Sequence, residues 1–165
     1  MSESHELHDV DKLTVGAVGE PGRRLFLLQA RHANQVVTLK VEKAQVAELV
    51  VTLRALLEDL PRPGHLPEDL ELEEPAEPQW VVGRMRLGYD PALDRLLLVA
   101  EEASGEEDEG AEARFGITRE QMAALAIRGT RLVEAGRPPC PLCGYPLDPR
   151  GHDCPRTNGH RAPTL

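Results

Sequence analysis

Val41 to Glu58 reads VEKAQVAELVVTLRALLE, and Ile117 to Glu134 reads ITREQMAALAIRGTRLVE. Side by side they pair Gln45 with Gln121, Ala47 with Ala123, Leu49 with Leu125, Leu56 with Leu132 and Glu58 with Glu134. Conservative pairs join Val41 to Ile117, Lys43 to Arg119, Val46 to Met122 and Val51 to Ile127. In each stretch the apolar residues recur three and four apart, the spacing of one helix face. Val46, Leu49, Val50, Leu53, Leu56, Leu57 and Leu60 form the first stripe, and Pro61 and Pro63 end it. Thr118 and Gln121 stand as a capping box at the head of the second helix. Any two amphipathic helices align on their apolar faces. Duplication is favoured because the match begins in a strand and enters the helix in the same phase.

Outward from these helices the same order recurs on both sides of a break. Leu13 to Val18, Arg24 to Ala30 and Val36 to Val41 have strand character and are separated by turn signals, then comes the helix from Lys43 to Leu60. Gln79 to Gly88, Leu93 to Ala100 and Ala113 to Ile117 repeat the strands, and Arg119 to Glu134 the helix. Residues 61–78, rich in Pro and Glu, read as a solvated linker, residues 1–12 as a frayed start, and the acidic run 101–112 as an exposed hairpin loop. The expected fold class is α+β: two βββα units, about 13–60 and 79–135, with mainly antiparallel sheets that join or pack. Each helix is expected to cover one sheet face. This body, 1–136, carries a C-terminal zinc-knuckle appendage, 137–165.

Composition limits what such a body can do. Its 165 residues are 41% hydrophobic and 28% charged, an ordinary globular balance, but 3% aromatic content leaves the core to Leu, Val and Ala. So few stacking groups, with a net charge of -9, argue against a nucleic-acid partner. The charge is uneven, because Arg137, Arg150, Arg156 and Arg161 face only Asp148 and Asp153 in the tail. The first residues lack the pattern of a secretory signal, and the longest apolar run, Leu96 to Ala100, suits a strand rather than a membrane span. A cytoplasmic protein without a membrane partner is expected.

The three cysteines lie within fifteen residues, beside histidines, which points to a metal rather than disulfides. Cys140-Pro-Leu-Cys143-Gly144 has the form of a metal knuckle, the glycine permitting the positive φ that turns backbone amides toward both thiolates. Asp148-Pro149-Arg150-Gly151 turns the chain back, and His152 and Cys154, two apart, leave an extended backbone on one side. Cys140, Cys143, His152 and Cys154 would complete a structural zinc site. His160 is the rival fourth ligand; His152 is favoured because it closes the ring without ordering the residues after Cys154. A free-thiol tail is the bland alternative, but a segment with so little apolar mass needs a staple to fold. A redox dithiol at Cys140 and Cys143 lacks the strand-to-helix setting such a pair uses.

The run from Gly136 to Arg161, with Gly16 to Gly22, Phe26 to Ala30 and Trp80 to Tyr89, resembles an uncharacterised actinobacterial family known as a domain of unknown function. That family is described as a repeat protein, which agrees with the duplication read above. The resemblance implies no activity, substrate or catalytic residue.

The residues themselves offer no catalytic constellation. Gly16 to Gly19 lacks the spacing of a dinucleotide fingerprint, and no phosphate loop, His-Glu-x-x-His helix or nucleophile elbow occurs. His32 is a turn histidine and His65 lies in the linker. Alternation in Trp80 to Leu87 sets Val81, Met85 and Leu87 on one face and Arg84 and Arg86 on the other. Arg31, Lys40 and Arg114 are candidates to join that helix-free face, making a basic patch for a phosphorylated or carboxylated ligand, and Arg128 on the second helix serves as a control outside it. An antiparallel sheet with one wet face explains the same arginines without a ligand. The reading favours a non-catalytic binding or adaptor protein, with another protein as partner and zinc as its structural cofactor. The alternatives are an enzyme or binding module for a small anionic ligand and, more weakly, nucleic-acid contact through the tail.

Overall fold

The computed structural model describes residues 2–20, 22–104, 110–135, 141–142, 152–153 and 161–162. Two compact units divide the chain, Met1–Leu132 and Val133–Leu165. The first holds β1 (His5–Leu7), β2 (Lys12–Val18), β3 (Leu25–His32), β4 (Gln35–Val41), α1 (Lys43–Glu58), β5 (Trp80–Asp90), β6 (Arg95–Glu102), β7 (Glu112–Ile117) and nearly all of α2 (Arg119–Glu134). In the second, β8 (His152–Asp153) pairs antiparallel with β9 (Arg161–Ala162).

Two three-stranded meanders, β2-β3-β4 and β5-β6-β7, make one mixed α+β sheet in the order β1-β7-β6-β5-β4-β3-β2. Its ladders are antiparallel except at two seams, β4 with β5 and β7 with β1. Because β1 and β2 stand at opposite ends of this order yet are separated only by residues 8–11, the sheet curls until its edges meet. Across this gap the amide of Val10 donates to the carbonyl of Gly116, and that of Asp11 to Arg31. The expected frayed start therefore holds a strand with His5 and Leu7 buried, followed by a buried Val10, because β7 would otherwise present an open edge there.

Both helices begin with the same device. The amide of Glu42 donates to Oε1 of Gln45 at 2.7 Å, and that of Thr118 to Oε1 of Gln121 at 2.9 Å. The Nε2 of each glutamine then reaches across to the other half, Gln45 to the carbonyl of Val82 in β5 and Gln121 to that of Val10 just before β2. Each helix thus leaves the third strand of one meander and is tied to the head of the first strand of the other. The apolar stripes meet between them. A Cβ at Gly129 would stand 2.6 Å from a methyl of Val50, so glycine is what lets α2 approach α1 there. Leu28, Leu39, Leu53, Leu98, Phe115, Met122 and Leu125 fill the shared core.

Two sequence expectations change. Val81 is 40% exposed and Val82 takes its place inside, because a bulge between Val82 and Arg84 reverses the alternation. Gly83 permits it: a Cβ there would lie 2.8 Å from Cα of Ala103, whose amide donates to the carbonyl of Val81. The linker is no solvated spacer either. Its residues 69–73 strap the outer face of β2-β3, the Leu70 carbonyl accepting from Thr14 and the Glu73 backbone exchanging two hydrogen bonds with the Gln29 amide. Thr14 and Gln29 are buried, and the strap supplies the partners that buried polar groups require.

Candidate functional site

The register assigns every residue of the outer face to a row. On the second meander the rows are Arg84-Glu101-Glu112, Arg86-Val99-Arg114 and Gly88-Leu97-Gly116. Arg84, Arg86 and Arg114 accordingly meet on one face. They are not free charges. Arg84 grips Glu101 through Nε at 2.8 Å and through its terminal nitrogen at 3.3 Å. Arg86 lies between Glu101 at 3.2 Å and Glu112 at 3.6 Å, and Arg114 approaches Glu112 at 3.3 Å. The hydrogen bond from Arg84 and the charges of both neighbouring arginines hold the Glu101 carboxyl below its ordinary range, and the Arg84 guanidinium is correspondingly harder to deprotonate. The acids at the two ends of the 101–112 run are thus the counter-charge of the arginines, while 45% to 68% of each arginine side chain stays exposed.

Arg31 and Lys40 lie elsewhere. Their meander has the rows Lys12-Arg31-Val36, Thr14-Gln29-Thr38 and Gly16-Leu27-Lys40. Arg31 faces Glu73 of the strap at 3.4 Å, beside Lys12, which lies 3.5 Å from both Asp69 and Glu73. Lys40 sits next to Val81 across the β4-β5 seam. The sequence therefore offered the arginine row, with the 101–112 run as its candidate internal counter-charge, but missed the strap, whose grip depends on backbone groups that leave no motif. Arg128, the control on α2, lies outside the row, and its Nε donates to the carbonyl of Val15 at 2.7 Å.

Concavities beside these groups are modest. A hollow of about 170 Å³ lies between α1 and β5, lined by Gln45, Leu49, Gly83, Arg84, Met85 and Leu87. A larger one of about 470 Å³ separates α2 from the linker, walled by Leu66, Leu70, Ala124, Ile127, Arg128 and Arg131. His32 sits 2.7 Å from the carbonyl of Asp9, and His65 lies 3.8 Å from Glu68, so neither is placed with a nucleophile or a second base.

Cys140, Cys143, Cys154 and His160 lie outside the described residues, and of His152 only the backbone, in β8, is described. Among the described residues no group of three His, Cys, Asp or Glu side chains is arranged around a common point. No helix among them is long and apolar enough to cross a membrane.

Residues 5–154 match the model of a family described as a protein of unknown function, DUF3090. No curated protein and no solved structure matches the chain.

Proposed function

The chain belongs to the DUF3090 family of proteins of unknown function, which carries no activity with it, and on that footing we propose that it is a non-catalytic cytoplasmic protein that binds another protein. The observation that carries this reading is the arginine row. Its cations sit on an open sheet face beside carboxylates that already neutralise most of their charge, a surface suited to exchanging ion pairs with a macromolecule. A small anionic ligand or substrate calls for a pocket of roughly 300–1,000 Å³ with convergent polar groups. The hollow that Arg84 lines is about 170 Å³, and the one of about 470 Å³ beside Arg128 and Arg131 shares no residue with the row.

The tail completes the proposal. Cys140, Cys143, Cys154 and His152, or His160 in its place, are thiolates and imidazoles of the kinds that close structural zinc sites. Bound zinc would hold residues 137–165 as a second, net-positive contact for the same partner. An actinobacterial source and an origin of the two meander-plus-helix halves by duplication belong to this reading as well. Gln45 and Gln121, with the same two hydrogen bonds in each half, support the latter.

The test is retention from a native lysate by the full chain, by a chain ending at Ala135, and by the full chain with Arg84→Gln and Arg86→Gln. A specific protein held by the full chain and weakened by either change is expected. Retention no different from that by an unrelated acidic protein contradicts the proposal.

A further inference from the structure

The two meanders present the same outer face, covered in one and open in the other. Matching the rows places Gly16 with Gly88, Leu27 with Leu97, Thr14 with Arg86, Thr38 with Arg114 and Lys12 with Arg84. On the first meander the strap, Asp69-Leu70-Glu71-Leu72-Glu73, fills this face. Leu72 sits directly over Gly16, so close that a Cβ there would come within 2.7 Å of its methyl carbon. Leu27, beside Gly16 in the same row, is fully buried. The carboxylates of Asp69 and Glu73 meet Lys12, and Glu73 also meets Arg31.

On the second meander the corresponding seat has its floor and its cations; the backbone of His8 covers its Gly116 end, and its Gly88 end is open. A Cβ built on Gly88 meets nothing within 4 Å. Leu97, its row neighbour, is 36% exposed where Leu27 is fully buried. Arg84, Arg86 and Arg114 stand in the two rows on one side of the seat, in place of Lys12, Thr14 and Thr38. The chain thus contains, on one half, a worked example of the ligand that the other half is shaped and charged to take.

Resting on the partner-binding reading, we propose that the outer face of β5-β6-β7 docks an extended acidic segment of a partner protein, with a leucine between acidic residues as in Glu71-Leu72-Glu73. The leucine drops onto Gly88 against Leu97. Its flanking carboxylates exchange with Glu101 and Glu112 for the guanidiniums, which have more N–H donors than those two acids occupy. Arginine at all three positions, where the first meander has one lysine and two threonines, suits an occupant that arrives from another molecule and must be held by charge. The strap, tethered in the same chain, is held at high effective concentration without it.

A fluorescent synthetic peptide copying residues 66–76 is the probe, titrated into the full-length protein at low ionic strength and followed by anisotropy. Saturable binding is expected, weakened about ten-fold or more by Gly88→Val, which fills the seat, and likewise by Arg84→Gln with Arg86→Gln. Gly88 lies in a strand with open space above it, so valine there should leave the melting temperature unchanged or raised. If that variant nevertheless misfolds, the arginine pair decides alone. A peptide carrying Leu72→Ser is expected to bind more weakly than the parent. Equal affinity for folded Gly88→Val and the unaltered chain would overturn the proposal, because the peptide would then be displacing the strap. No saturable binding overturns it as well. If in that case the lysate experiment still retains a specific partner, the site is wrong while the partner-binding reading stands; if nothing is retained, both fall.

Discussion

Asp94 shows how single residues hold the loops of the body. It adopts a left-handed backbone, φ 48°, which aspartate tolerates better than most residues. Its carboxylate accepts from the Tyr89 hydroxyl at 2.5 Å and from the Arg119 Nε at 3.1 Å. Arg119 in turn donates to the carbonyls of Pro61 and Arg62, tying the end of the first half to the start of α2. The Tyr89 hydrogen bond and, after it, Arg119 keep the Asp94 carboxyl below its usual range, while the same bond raises the Tyr89 phenol. Asp69, Glu101 and Glu102 are lowered too, chiefly by hydrogen bonds from the Glu71 backbone, Arg84 and Ser2 respectively. A carboxyl lowered on folding stabilises the native state at neutral pH and loses that contribution as pH falls below its ordinary value, 4.5 for glutamate and 3.8 for aspartate, toward the folded one. Urea midpoints should therefore be level from neutral pH down to about 4.5 and then decline, with a shallower decline in Asp94→Asn. A midpoint that rises on acidification below pH 4.5 would contradict these assignments.

At the scale of elements, legibility in the sequence depended on whether an element's signal was periodic. Both helices, the βββα order and the box at Thr118 and Gln121 were readable because apolar spacing and capping are local properties. The orientation of Val81 was not, because one residue added at a bulge inverts every assignment before it. Nor was the strap legible: Thr14 and Gln29 look like surface residues until a second segment is known to bury them. The arginines of the candidate site could be found by alternation alone. The 101–112 run was legible as a counter-charge, but not that Glu101 and Glu112 belong to strands or which arginine each meets, because neither strand membership nor register can be inferred from a dense acidic stretch. The bulge itself can be tested through Gly83→Val. A side chain there meets the Ala103 backbone, which cannot rotate away, so a loss of about 1–3 kcal/mol in unfolding free energy is expected from denaturant titration. A variant as stable as the parent would show that β5 can shed the bulge.

For the molecule as a whole, the proposed division of labour is between a body held by its own core and a tail that zinc would hold. The body has the means: two interlocked helices, a sheet closed on itself and a strap over one outer face all lie within Met1–Leu132. The tail, rich in proline and glycine, has little apolar surface with which to fold unaided. The two outer faces of the body differ, one closed by the chain's own acidic segment and the other open at Gly88. Division of this kind is tested most directly by measuring zinc content together with unfolding, before and after chelation, on protein purified without chelator. The account predicts about one zinc per chain, its loss on chelation or on replacing Cys140, Cys143 or Cys154 by Ser, and a cooperative thermal transition of the body that survives that loss. Zinc near zero, or a body that unfolds when the metal is withdrawn, would contradict it.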